Sequence, residues 1–231
     1  MLRTFAVSNY RSLKDIVSPL SALNVVTGPN GCGKSNLYKA LRLLAEGTDA
    51  QSIIRTPQIG TRTTVLDHDG HSLVAALRTI HEIGNRQALY ESIEDAFPGA
   101  TIGFQADAGN RLSLQFIQQG LLRPLNQAEL SDGTLRYLLL VAALLTPRPP
   151  SLLVLNEPET SLHPDLLPAL GRLIVRASQE TQVWVVSHAP RLVATLEADG
   201  NGNPIGLNKE LGETKIIGQG LLDVPPWHWP D

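Results

Sequence analysis

The spacing of apolar and polar residues changes several times along the chain. Residues 2–8 (LRTFAVS) and 22–27 (ALNVVT) are short runs rich in β-branched and aromatic side chains, bounded by polar or turn residues, and predict two strands. From 36 to 45, Leu37, Ala40, Leu41 and Leu44 recur at helical spacing, and Gly47 supplies a stop. The stretch 46–64 is polar and aperiodic, broken by Gly47, Pro57 and Gly60, and marks a lobe boundary. Two amphipathic helices are predicted next, over 72–83 (Leu73, Leu77, Ile80) and 86–97 (Leu89, Ile93, Phe97). Over 100–118, Ile102 and Phe104 alternate against Leu112, Leu114 and Phe116 around Gly109, which reads as a hairpin. Residues 134–146 are apolar on almost every side, the mark of a helix buried nearly all round. Finally, 151–158 and 181–188 are continuous apolar runs that stop at polar residues, as in parallel strands covered on both faces. A helix of crossover length over 165–177 joins them into a βαβ unit. The expected fold is therefore α/β, with a largely parallel sheet and flanking helices.

Composition narrows the picture. With 231 residues, 42% apolar and 18% charged, the chain can bury a sizeable core without staples. The longest apolar run, Tyr137 to Leu145, is too short to cross a bilayer. The first residues, MLRTFAVSNYRSL, lack a secretory pattern, so the expectation is a cytoplasmic protein without a membrane partner. The single cysteine, Cys32, excludes a disulfide framework and a multi-cysteine zinc site within one chain. A net charge of −3 does not announce a nucleic-acid binder, but 14 of the 19 basic residues are Arg, whose planar fork suits phosphate.

One loop carries decisive chemistry. Gly28, Gly33, Lys34 and Ser35 complete G-x-x-x-x-G-K-[ST] between a predicted strand and a predicted helix. Glycines let backbone N–H groups close around phosphates, and the helix N-terminus adds positive partial charge. Lys34 reaches the β- and γ-phosphates, and the Ser35 hydroxyl ligates Mg²⁺. Asn30, Gly31 and Asn36 complete the expected cradle for ATP. Cys32 occupies a variable position of the loop and reads as a small filler without a redox role.

A phosphate loop alone fits kinases, GTPases and many ATPases, so the rest of the chain must discriminate. LSDGT (130–134) directly precedes the buried helix; Glu157, 26 residues after Ser131, follows Asn156 at the end of LLVLNE; and 31 residues further on a strand ends in Ser187 and His188. This order resembles the ABC-type ATPase superfamily, with a signature motif, a Walker B strand, a D-loop and a switch histidine. The segments YRSL, EPETSLHP and LSDGT are similar to the RecF/SMC-like and OLD-like ATPases more than to transporter subunits, and LDHDGHSLVAAL resembles their lid region. The resemblance implies a discontinuous nucleotide-binding lobe (1–47 and 128–220), an inserted helical/β lid lobe (48–127) and a C-terminal tail (221–231). It also implies an ATP-dependent homodimer in which Ser131 and Gly133 close on the γ-phosphate held by Lys34 of the partner subunit. Glu157 would polarise the attacking water, His188 would sense the γ-phosphate, Arg11 would lie near the nucleotide, and Thr160 and Ser161 would line the dimer interface. DNA and an effector or nuclease are the further partners it implies.

Two departures matter. Where Walker B ends in Asp-Glu, this chain has Asn156; an amide can accept a bond from metal-bound water but brings no charge, so Mg²⁺ affinity should fall while Glu157 keeps slow hydrolysis possible. Few residues join the loop helix to the lid-like segment, and neither Gln51 nor Gln58 is assigned as a Q-loop. Other features have plainer readings. Asp67, His68, Asp69 and His71 surround an Asp-Gly turn signal, His81-Glu82 lacks the second His of a zincin, His163-Pro164 starts a helix, and Trp227 and Trp229 form an aromatic tail without neighbouring basic residues. Three readings remain: a RecF/SMC/OLD-like ATPase serving DNA repair or phage defence, a transporter's nucleotide-binding subunit, and a non-hydrolysing ATP switch. LSDGT, SLHP and the missing Q-loop weigh against the second; Asn156 favours the third.

Overall fold

A computed structural model of the chain describes residues 1–42, 58–59, 63, 72–198, 200 and 202–219. Their contacts separate into two units, one drawn from Met1–Glu46, Pro150–Glu159 and Ile174–Asp231, the other from Gly47–Pro149 and Thr160–Leu173.

In the first unit, strands β1 (Thr4–Tyr10) and β2 (Leu13–Pro19) pair as an antiparallel hairpin. The chain then enters β3 (Leu23–Thr27), which leads through the glycine-rich loop into α1 (Lys34–Arg42). Four further strands, β8 (Leu152–Asn156), β9 (Gln182–Val186), β10 (Gly202–Glu210) and β11 (Glu213–Ile216), complete a sheet of order β11-β10-β3-β9-β8. It is parallel from β10 to β8, and β11 folds back antiparallel. The crossover from β8 to β9 is α5 (Leu167–Ser178), preceded by a 3₁₀ turn at Pro164–Leu166, as the apolar pattern required. Every residue of β9 is buried, the reason its sequence shows no alternation. Phe5, Leu13 and Ile16 of the hairpin, Leu37 and Leu41 of α1, and Trp184 and Val186 of β9 share one core with Cys32, and Phe5 meets the Trp184 ring edge-on at 5.4 Å. Each such large apolar side chain contributes about 1.5–3 kcal/mol by leaving water. The short helix α6 (Pro190–Ala198) follows β9.

The second unit holds α2 (Leu73–Ile83), α3 (Arg86–Ala96) and the antiparallel hairpin of β5 (Ala100–Ala106) and β6 (Arg111–Gln118), with the short strands β4 (Gln58–Ile59) and β7 (Leu125–Asn126) both pairing with β6. Its centre is α4 (Asp132–Leu144), buried along most of its length as its apolar sequence demands. The fully buried Tyr137 of α4 donates its hydroxyl to the Ser92 carbonyl of α3 at 2.9 Å and meets the edge of Phe97, which in turn packs on Phe116. Arg172 clamps Asp95 with two bonds of 2.8 and 2.7 Å. Among the described residues no helix is long and apolar enough to cross a membrane.

Candidate functional site

The phosphate loop is held open by glycines at backbone angles that side chains rarely tolerate: φ is +149° at Gly28, +80° at Gly31 and +109° at Gly33. A Cβ on Gly28 would lie 2.7 Å from Cys32 Sγ and run into the Leu207 carbonyl oxygen. On Gly33 it would overlap Thr214 Oγ1, so β11 fits directly against the loop. That hydroxyl donates to the Cys32 carbonyl at 2.8 Å and lies 2.7 Å from Ser12 Oγ, which also accepts from Asn36 Nδ2 at 2.9 Å. Arg11, itself at φ +56° in the turn of the β1–β2 hairpin, reaches Asn36 Oδ1 at 3.5 Å. The hairpin turn, the loop and β11 thus form one network beneath the start of α1. Neither Ser12 nor Thr214 stands out in the sequence, because only the fold brings residues 12, 36 and 214 together.

Lys34 opens α1. It is buried, and its ammonium donates to the carbonyls of Gly28 (2.5 Å) and Pro29 (3.1 Å), so its charge is held at the mouth of the loop. Ser35 is exposed one residue further into the same first turn, where a helix's N–H groups lack intrahelical acceptors. Asn30 and Gly31 are exposed on the loop's outer side. Cys32 is buried in the core and makes no disulfide.

The carboxyl ends of β3, β9 and β8 lie side by side: Val26 and Asn156 both pair with Val186. The row brings together the loop that follows Thr27, Ser187 and His188 after β9, and Asn156 and Glu157 at the end of β8. Asn156 is half-buried. Glu157 adopts φ +45°, a strained value for a non-glycine residue, and its N–H donates to the Val186 carbonyl at 2.8 Å. This turn presents its carboxylate 3.8 Å from His188 Nδ1, with 42% and 54% of the two side chains exposed. A carboxylate, an imidazole and a phosphate loop thus converge where open α/β sheets place ligands, beyond the carboxyl ends of adjacent strands.

A second carboxylate in this row has no signal in the sequence. Glu159 is 9% exposed, and one of its oxygens accepts from Ser187 Oγ (2.7 Å) and from the His188 backbone N–H (3.0 Å) and lies 3.4 Å from His188 Nδ1. Nothing in EPET distinguishes a buried carboxylate from a solvated one.

The signature residues and Thr160, Ser161, His163 and His81 lie in the second unit. Ser131 caps α4, its hydroxyl accepting from the Thr134 N–H at 3.1 Å. A Cβ on Gly133 would come within 3.1 Å of the Ser161 carbonyl, so the signature and the exposed Thr160-Ser161 segment pack against each other, and Ser161 bends at φ +66°. Ahead of the signature, Arg123 clamps Glu129, whose carboxyl is held down to about 2 by that contact and by the Asn126 N–H. His163 Nδ1 accepts from the Asp165 N–H and opens the 3₁₀ turn. His81 faces Arg86 and Tyr90, and burial together with the Arg86 charge lowers its pKa. Gln58 sits in β4, while Gln51, the 67–71 cluster and the 221–231 tail lie outside the described residues. Among the described residues no group of His, Cys, Asp and Glu is arranged to hold a metal by itself.

Residues 74–194, more than half of the chain, match the family described as "AAA domain, putative AbiEii toxin, Type IV TA system", and residues 1–86 match "AAA ATPase domain". A Halobacterium salinarum protein named "Putative ABC transporter ATP-binding protein" is 29% identical over 187 residues, covering 74% of this chain and 73% of that protein. The OLD nuclease of Thermus scotoductus is 43% identical over 44 residues, 19% of this chain and 8% of the nuclease. An SMC head solved bound to the C-terminal winged-helix domain of ScpA superposes with a TM-score of 0.67 at 14% identity, covering 95% of this chain and 98% of that one. The SMC head domain of Thermotoga maritima gives 0.58 at 14% identity, covering 95% and 100%. The match over more than half of the chain establishes that it belongs to the family described as "AAA domain, putative AbiEii toxin, Type IV TA system", a P-loop ATPase domain, and the superpositions show that it shares the fold of SMC heads.

Proposed function

We propose that this protein is an ATP-binding head that dimerises on ATP and hydrolyses it slowly, serving DNA maintenance or defence against phage. The observation that supports the reading best is the single row of strand ends that brings the phosphate loop, Glu157 and His188 together in one unit. Lys34 and the first turn of α1 bind the phosphates, and the Lys34 ammonium exchanges its loop carbonyls for phosphate oxygens. The exposed Ser35 hydroxyl and the half-buried Asn156 amide are neutral oxygen donors that suit a hydrated Mg²⁺. A Mg²⁺ held there would supply positive charge to offset that of the triphosphate. Glu157 orients water and accepts its proton, and His188 senses the γ-phosphate. In this reading residues 1–47 and 128–220 act as the nucleotide lobe around the inserted 48–127 lobe. Ser131 and the N-terminus of α4 serve the nucleotide of a second copy, as the exposure of Ser131 permits. DNA and a nuclease or other effector are the partners proposed, the latter from the short likeness to the OLD nuclease.

Asn156 favours a second reading, an ATP switch that dimerises without turnover. Mass measurement by light scattering with and without Mg-ATP, together with phosphate release, tests both. The ATPase reading expects an ATP-dependent dimer, slow phosphate release, and a trapped dimer in Glu157→Gln. A dimer without phosphate release in the native protein supports the switch. A chain that stays monomeric with ATP and releases no phosphate refutes both.

A further inference from the structure

We propose that Glu159 is the positioning residue of the ATPase site: it holds the turn after β9 and aims the His188 ring, linking the segment that carries Glu157 to the segment that carries His188. The inference deepens the proposed ATPase reading and rests on it for the role of His188.

Glu159 Oε1 gathers three groups from one short stretch: the Ser187 hydroxyl at 2.7 Å, the His188 N–H at 3.0 Å and His188 Nδ1 at 3.4 Å. Ser187 is fully buried, and its hydroxyl also accepts from the Ala189 N–H at 3.1 Å, so the carboxylate organises the whole approach to α6. The other oxygen, Oε2, is buried with no hydrogen-bond partner among the described residues. Such a half-satisfied buried carboxylate is a poor device for stability, because burial penalises the charge while only one oxygen is compensated. A neutral amide would serve Ser187 and the His188 N–H equally well. What only the charge supplies is a fixed anionic partner for the imidazole. That partner biases the ring toward the tautomer carrying its proton on Nδ1 and leaves Nε2 for other contacts. Glu157, at 3.8 Å and more exposed, is beyond hydrogen-bond distance of the ring and stays available for water. Two carboxylates two residues apart therefore divide the work: Glu157 faces the reaction, and Glu159 acts through His188.

The test uses the full chain and the isosteric Glu159→Gln. Its expected effect is a fall in kcat of about 10- to 100-fold, taking the loss found when the outer partner of a metal-ligating histidine is removed as the scale. KM for ATP and melting temperature should stay unchanged. Because Glu159 works through His188, adding Glu159→Gln to His188→Ala should cost no more than about twofold in kcat. In the nucleotide-free protein, ¹⁵N spectra of the His188 ring should show the Nδ1–H tautomer lost in Glu159→Gln. Multiplying effects of the two substitutions, or a Glu159→Gln enzyme within about twofold of native while His188→Ala is impaired, overturns the proposal. If His188→Ala leaves kcat unchanged, the sensing role of His188 falls, and the ring spectrum then decides the anchor: a spectrum unmoved by Glu159→Gln overturns it. Should Glu159→Gln fail to fold, Ser187→Ala, which loosens the same turn and keeps the charge, is expected to lower kcat a few-fold at constant KM; an unchanged kcat there overturns it as well.

Discussion

Replacing Gly33 by Ala tests the loop network in one step. At φ +109° a non-glycine backbone is strained by about 1–3 kcal/mol. The new methyl would also overlap Thr214 Oγ1 and sit 3.0 Å from Thr214 Cγ2. Thr214 must then withdraw its hydroxyl from the Cys32 carbonyl and from Ser12, and each bond lost costs about 0.5–1.5 kcal/mol. The combined loss is about 2–6 kcal/mol, a large part of the roughly 5–15 kcal/mol that stabilises a folded domain. Thermal unfolding followed by circular dichroism should show it, since a chain of this size loses about 2–4 °C in Tm per kcal/mol. ATP-analogue binding should weaken in parallel, because the loop N–H groups are displaced. The decisive comparison is the same substitution in a Thr214→Ala background. There the obstructing hydroxyl and methyl are gone, leaving the backbone strain and a 3.1 Å approach to Ser12 Oγ, so Gly33→Ala should cost about 1–3 kcal/mol less than in the native chain. An equal cost in both backgrounds would refute the claim that β11 holds the loop through Thr214.

Lys34→Ala should weaken nucleotide binding by about 2–3 kcal/mol, the worth of a charge-assisted contact, and unchanged affinity in equilibrium titration would contradict the phosphate-loop role. Asn156→Asp should lower the Mg²⁺ concentration for half-maximal hydrolysis by roughly 10- to 100-fold without moving metal-free ATP affinity; identical Mg²⁺ titrations would show that the amide substitutes fully for a carboxylate. Ser131→Arg should leave ATP binding intact while abolishing ATP-dependent dimerisation in light scattering, and persistence of the dimer would exclude a composite site. Glu129 is depressed from 4.5 to about 2, first by the Arg123 hydrogen bond and then by the Asn126 N–H. Its stabilising effect is therefore complete above the unfolded value of 4.5 and is lost as pH falls through about 2. In Arg123→Gln, an NMR titration should find the Glu129 carboxyl back near the ordinary carboxylate range, and a value still near 2 would mean that the guanidinium is not the cause.

The sequence by itself determined the parts of this protein whose physics is local. The strand-loop-helix around Lys34 is legible because a loop approached by phosphate needs glycines at fixed offsets. Strand β9 is legible because burial on both faces removes alternation, β8 as a continuous apolar run although this edge strand is only partly buried, and α4 because an all-apolar helix has nowhere to go but a core. The tertiary structure alone decided the rest. Strand β2, with its irregular burial, and β10, which carries Pro204 inside a parallel ladder, give no clean period, so neither was legible. Pairing across the sheet, which sets Val26, Val186 and Asn156 in one row, depends on contacts between residues far apart in the chain. The same holds for the site's supports. Thr214 reaches the loop from the far end of the chain, and Glu159 becomes a buried anchor only because the end of β9 closes over it. Spacing along a chain reports the period of one element, whereas burial of a polar group and its partners is a property of several elements packed together.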